Sequence, residues 1–284
     1  MQARRLPAAR GTYWLLEGFR LFRRNPPLIT ALTLLYLLLV QGVAVLLPGI
    51  GPILLPLALP ALTLIVANGC RLVDEGLAPG KATLLRGLIG REGNGLAMLR
   101  LGLLQLIGAL ILVWLNSVLG NGVDPFSSLE HAASLPPEVA GVAGTAAVGA
   151  GAAATATKDA DVLGALLRLM LLATPLIIAF WFAPFLTGWD RVSPLKSMFF
   201  SIVASWRNWR AFVMFTFAAV VVAGVVPGLL LILVSQIAGA ATSVAFIAMR
   251  MLLVFLVAPV LTASIYISYR DIFHPRPGEI NESA

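Results

Sequence analysis

Charge is what this chain has least of. Only 12% of its 284 residues are Asp, Glu, Lys or Arg, against 59% hydrophobic ones, and mean hydropathy is +0.93. Soluble domains carry about 25% charged and about 45–50% apolar residues. No soluble core could hide so much apolar surface behind so few charges, which puts the chain in the membrane class. Cysteine is almost absent: Cys70 alone, at the end of an apolar run, excludes an intrachain disulfide and a thiolate metal cluster. It reads as a buried structural thiol. Histidine occurs only as His131 and His274, and neither belongs to an H-E-x-x-H or other ligand-spaced group. There is no P-loop, no G-x-S-x-G elbow and no intramembrane acid pair. The expectation is a protein that is not an enzyme and has no catalytic, metal or cofactor site. A cleavable leader is not expected either, because residues 1–27 are basic and aromatic and the first apolar run, from Leu28, is long enough to span.

Long apolar runs are what the chain has in excess. A spanning helix needs roughly 20 mainly apolar residues. The segments 28–47, 50–70, 96–119, 162–187, 211–234 and 250–269 meet that length. Orientation follows from arginine and lysine in the connections. Residues 1–27 hold Arg4, Arg5, Arg10, Arg20, Arg23 and Arg24, and 71–95 hold Arg71, Lys81, Arg86 and Arg91. Residues 188–210 hold Arg191, Lys196, Arg207 and Arg210, and the tail holds Arg270 and Arg276. The alternate connections 48–49, 120–161 and 235–249 hold only Lys158. Both termini are therefore expected in the cytoplasm and the 120–161 loop outside. That loop is alanine- and glycine-rich, and glycine disfavours helix, so a flexible segment is expected there.

The even-numbered spans share a motif: Pro60-Ala61-Leu62-Thr63, Pro184-Phe185-Leu186-Thr187 and Pro259-Val260-Leu261-Thr262. Each is followed by an arginine close to an aspartate: Arg71 with Asp74, Asp190 with Arg191, and Arg270 with Asp271. The odd-numbered spans follow basic stretches with an asparagine, Asn25, Asn94 or Asn208, each suited to cap a helix start. The pattern predicts an all-α polytopic membrane bundle of about six spans, organised as three parallel-repeat hairpins entered through short interfacial amphipathic helices.

Two groups of residues are candidates for function. Tyr13 to Arg24 and Ser205 to Arg210 mix aromatics with arginines at roughly helical spacing. In the headgroup layer, Arg20, Arg23, Arg24, Arg207 and Arg210 would meet anionic lipid or a partner, although such stretches also serve as plain topological anchors. The second group rests on prolines. Pro52, Pro56 and Pro60, with Pro175, Pro184, Pro227 and Pro259, predict kinked or broken helices. In transporters, interrupted helices often mark binding sites. A solute or lipid site is thus expected near Pro60, Thr63, Pro184, Thr187, Pro259 and Thr262, with Arg168 and Arg250 toward the outside. Structural kinks and outer-interface snorkelling are the simpler alternatives. All thirteen acids fall in loops, tails or helix ends, which argues against ion-coupled carriers.

The stretch from Trp14 to Pro27, the segment from Ser205 to Phe212 and the last span with Pro259 resemble a family of uncharacterised betaproteobacterial multi-pass inner-membrane proteins. The resemblance implies residence in a bacterial inner membrane and carries no functional residues. The layout expected is a basic segment over 1–27, a transmembrane domain over 28–270 and a tail over 271–284. The function expected is non-enzymatic, with passive or accessory transport of a small or anionic solute. The alternative is a membrane scaffold or accessory subunit that organises lipid or a partner complex. Lipid headgroups are the expected partners and nucleic acid is not; a protein partner or a second copy is left open.

Overall fold

The computed structural model describes residues 4–89, 93–119, 152–238 and 242–274. All regular elements among the described residues are helical. Six helical segments are long and apolar enough to cross a membrane: Pro26–Leu46, Gly51–Glu75, Gly95–Leu119, Leu167–Gly188, Trp209–Gln236 and Val244–Phe273. They coincide with the expected spans, apart from an earlier start to the last. Residues 120–151 of the expected outer loop, His131 among them, lie outside the described residues, as do Arg91 and Arg276. The rest of that stretch, from Ala152, is already helix.

The chain divides into two compact units, residues 1–105 with 178–284, and residues 106–177. In the first, α1 (Arg10–Arg24) is an amphipathic helix whose buried residues, Gly11, Trp14, Gly18, Leu21 and Phe22, recur at helical spacing. Asn25 then caps α2 (Pro26–Leu46), accepting the Leu28 N–H on its side chain while Pro26 and Pro27 occupy the first turn. The helix α3 (Gly51–Glu75) ends at Gly76, whose left-handed φ of 69° lets Leu77 N–H reach back to the Leu72 carbonyl. A single turn, α4 (Lys81–Leu84), precedes α5 (Gly95–Leu119). After α6 (Ala152–Phe180) come α7 (Ala183–Gly188), α8 (Pro194–Arg207), α9 (Trp209–Val220), α10 (Val226–Ala238), α11 (Thr242–Leu252) and α12 (Ala258–Phe273). The core of this unit gathers Trp14, Leu64, Phe182, Phe185, Leu186 and Ile272 around α1, α3, α7 and α12.

Proline acts differently in each span. α3 runs unbroken past Pro56 and Pro60, against the expected interruption. Before Pro184 the fourth span does break, and Ser201 of α8 repairs the gap. Its hydroxyl accepts the Phe182 N–H at 3.0 Å and donates to the Ile178 carbonyl at 2.7 Å. Ahead of Pro227 and Pro259 the helix widens into π turns, Val221–Val225 and Leu253–Val257. The wider turn makes room where a proline ring meets the carbonyl four residues back. For Pro259 that carbonyl belongs to Phe255, and it accepts the Thr30 hydroxyl at 3.5 Å.

α1 lies against α9 and α12 at two glycines. A Cβ on Gly11 would stand 2.0 Å from the Ala211 carbonyl oxygen, and one on Gly18 would stand 2.1 Å from Ser264 Oγ. Asn208 is not the helix cap its position suggests. Its side chain accepts Leu6 N–H at 2.8 Å and donates to the carbonyls of Arg4 and Ala204, tying the N-terminal segment to the α8–α9 joint. Asn94, just ahead of α5, donates from Nδ2 to the Thr187 carbonyl at 3.3 Å.

The second unit contains the far part of α5 and most of α6, in contact at Gly108 and Leu176. Arg168 Nε donates to Asn116 Oδ1 at 3.4 Å and Nη1 to the Leu119 carbonyl at 3.3 Å. It thereby serves the C-terminal end of α5, where unpaired carbonyls carry partial negative charge.

Candidate functional site

The most elaborate polar structure in the first unit lies where α3, α7 and α12 end. Tyr269, Arg270 and Asp271 are consecutive on α12, so their side chains leave the helix about 100° apart and reach three different elements. Tyr269 donates its hydroxyl to Asp190 Oδ2, just beyond α7. Arg270 donates from Nη1 to Asp74 Oδ2 of α3 at 2.8 Å and from Nη2 to Glu17 Oε2 of α1 at 3.2 Å. Asp271 accepts both Arg10 Nε and Nη2 at 3.0 Å and Trp14 Nε1 at 2.9 Å. Such a forked guanidinium–carboxylate pair fixes geometry as well as charge.

The aspartates of all three expected repeats thus enter one network. Their partners are not the neighbouring arginines of the sequence. Asp74 binds Arg270, Tyr266 at 3.1 Å and, more loosely, Arg24 at 3.7 Å. Asp190 binds Tyr269 and His274 Nε2, the latter at 3.1 Å. Arg71 turns to Glu75 at 2.7 Å and stacks over Trp189, 5.3 Å from the ring centre. Trp189 donates from Nε1 to Asn68 Oδ1 at 2.8 Å, and Asn68 Nδ2 donates to the carbonyls of Leu84 and Arg86. The side chains of Asp74 and Asp271 are only 5% and 2% exposed. Both lie at helix ends, as expected, yet are buried there, where ion pairing offsets the desolvation of these carboxylates.

Two cavities open at this network. One, of about 370 Å³, is lined by Arg71, Asp74, Glu75, Arg86, Trp189, Asp190, Tyr266, Tyr269, Arg270 and His274. The other, of about 190 Å³, is lined by Glu17, Arg20, Leu21, Arg24, Asp74, Ile267 and Arg270. Asp74 and Arg270 border both.

The proline-motif residues line neither cavity. Pro60, Pro184 and Pro259 are buried in packed helices. Thr187 shares a hydrogen bond with Ser197 at 2.7 Å, Thr262 donates to the Ala258 carbonyl of its own helix, and Thr63 lies beside the Tyr36 hydroxyl. Arg250 is exposed and makes no hydrogen bond or ion pair among the described residues. Arg20, Arg23, Arg24, Arg207 and Arg210 are all exposed. Sequence reasoning placed Asp74, Asp190, Asp271 and Arg270 at helix edges but missed that they converge. The available signal was the recurrence of an aspartate after each even-numbered span, joined by Tyr266, one helical turn before Arg270.

Helical spans on this scale define a polytopic α-helical membrane protein. The chain is 31% identical over 220 residues to a protein of Burkholderia thailandensis described as a probable inner membrane protein, covering 76% of this chain and 74% of that one. It belongs to that family of multi-pass inner-membrane proteins. No family profile matches the chain, and no solved structure is significantly similar to it.

Proposed function

We propose that this is a non-enzymatic inner-membrane protein, with both termini cytoplasmic, that organises anionic lipid through basic interfacial helices. The observation that carries the reading is the two-sided build of α1. One face is locked into the bundle by Trp14, Gly11 and Gly18. Arg20, Arg23 and Arg24 are exposed, beside exposed Tyr13, Leu16 and Phe19. Arg207 and Arg210 flank the α8–α9 joint with Trp206 at 80% and Trp209 at 55% exposure. Exposed aromatics beside arginines suit the headgroup layer, where each basic residue near an anionic surface contributes about 1 kcal/mol. A rigid attachment would transmit that preference to the whole unit. The orientation rests on the arginine and lysine count of the connections, which is high in 1–27, 71–95 and 188–210 and low in the alternate ones.

The test replaces Arg20, Arg23, Arg207 and Arg210 by glutamine, leaving Arg24 on Asp74, and reads co-purified phosphatidylglycerol and cardiolipin by native mass spectrometry from mild detergent. Loss of bound anionic lipid with an unchanged melting temperature supports the proposal. Undiminished lipid overturns it, and loss of a co-purifying protein instead would reassign the surface to a partner.

A second reading, binding or accessory transport of a small solute, is favoured by a separate observation: the cavity of about 370 Å³ walled by charged and aromatic side chains.

A further inference from the structure

We infer that the larger cavity is a binding site for a small solute carrying an oxyanion, a phosphate or carboxylate group, with Arg86 as its principal contact. The inference deepens the second reading above and is independent of lipid docking by α1.

Charge counting alone leaves the ligand open, since Arg71, Arg86 and Arg270 line the cavity together with Asp74, Glu75, Asp190 and His274. Bond accounting decides it. Asp74 has both oxygens engaged, Oδ1 with Arg24 and Oδ2 with Arg270 and Tyr266. Asp190 has both engaged as well, Oδ2 with Tyr269 and Oδ1 with His274. Glu75 holds Arg71 through Oε1. The acids are therefore largely spent inside the wall. A cation entering here would have to displace an arginine, a tyrosine or the histidine from them.

The donors are not spent. The Arg86 side chain is exposed, lines the cavity and makes no ion pair or hydrogen bond among the described residues. Among the described residues Arg71 spends only Nε, on Glu75, and keeps its two Nη groups for a ligand. A guanidinium fork matches an oxyanion in shape and charge, which favours phosphate or carboxylate over halide.

The backbone holds Arg86 in position for this role. Asn68, only 2% exposed, donates to both the Leu84 and Arg86 carbonyls at 2.8 and 2.9 Å. Gly87 follows with φ of 81°, and its Cα lies so close to α7 that a Cβ would stand 2.6 Å from the Gly188 carbonyl oxygen. The turn carrying Arg86 is thus clamped on both sides, while the side chain itself does no structural work. That combination, a fixed base with an unspent donor, is what a preformed binding site needs.

The experiment uses the full chain in nanodiscs of phosphatidylcholine alone, titrated calorimetrically with inorganic phosphate and with succinate. A second arm omits both and compares nanodiscs with and without phosphatidylglycerol, reading the melting temperature. Saturable binding of phosphate or succinate, weakened tenfold or more in Arg86→Gln and partly restored in Arg86→Lys, supports a solute site. A melting-temperature rise with phosphatidylglycerol that Arg86→Gln removes, without response to either small anion, assigns the same oxyanion site to a lipid headgroup. Absence of both responses, or binding that Arg86→Gln leaves unchanged, overturns the inference. Arg86→Gln is expected to fold, since the side chain makes no bond in the fold. The lipid variants at Arg20, Arg23, Arg207 and Arg210 touch none of this cavity's lining residues, so either reading can fail alone.

Discussion

Arg270 and Asp74 stand 196 positions apart in sequence and 2.8 Å apart in the structure. The contact joins the last helix to the second span, and Glu17 on the same guanidinium brings in α1. Removing one partner of a buried pair leaves an uncompensated charge and costs about 3–5 kcal/mol. Arg270→Gln alone and Asp74→Asn alone are each expected to destabilise by an amount in that range. The double variant is expected to lose clearly less than the sum of the two, because neither charge is then stranded. Thermal unfolding in detergent checks this, and additive losses would show that the residues act separately.

The close approach of α1 to α9 and α12 gives a second expectation, this time steric. Gly11→Ala and Gly18→Ala each push a methyl group into backbone: the Ala211 carbonyl in one case and the Ser264 amide, 2.8 Å away, in the other. Overpacking of a tight contact costs about 1–3 kcal/mol. Gly42 has nothing within 4 Å of an added Cβ, so Gly42→Ala is the control. Without a clash, replacing glycine in a helix interior is expected to be neutral or to stabilise by about 0.5–1 kcal/mol. Melting temperatures of the three variants, measured side by side, separate the cases. A loss at Gly42 equal to that at Gly18 would mean that α1 does not pack as described.

The spans were legible because apolar length is a local property, readable in any window of the chain. Asn25 was legible for the same reason: the cap acts on its own helix. Asn208 and Asn94 carry the same residue type at comparable positions, yet their side chains serve the Arg4–Leu6 segment and Thr187. Nothing local distinguishes a cap from a tertiary clamp. Proline misled in a related way. Whether a helix runs on past its proline, as at Pro60, breaks, as at Pro184, or widens, as at Pro259, depends on what the neighbouring elements offer, such as Ser201 or Thr30. The ion network was half legible. Each aspartate was visible beside an arginine, but helix geometry sent Arg270 and Asp271 about 100° apart, to partners that no sequence spacing reveals.

Asn68 offers the most discriminating test of how packing supports the cavity. It is buried in α3 and spends its whole amide on three partners, the Trp189 indole and the carbonyls of Leu84 and Arg86. Leucine has the same branched outline but offers no polar atom, so Asn68→Leu strands an indole N–H and two carbonyls. Each unsatisfied buried group costs about 1–3 kcal/mol, less where water can reach it. The turn at residues 84–88 is the more weakly held side, since it is short and partly exposed, whereas Trp189 remains packed against Phe185 and Tyr269. The expected outcome is therefore local: faster amide hydrogen exchange across 84–88, with little change in α12, together with weaker binding of the oxyanion probe because Arg86 loses its fixed base. Uniformly faster exchange throughout the first unit would instead make Asn68 a general stabiliser of the bundle, and unchanged exchange in the turn would remove it as the element that positions Arg86.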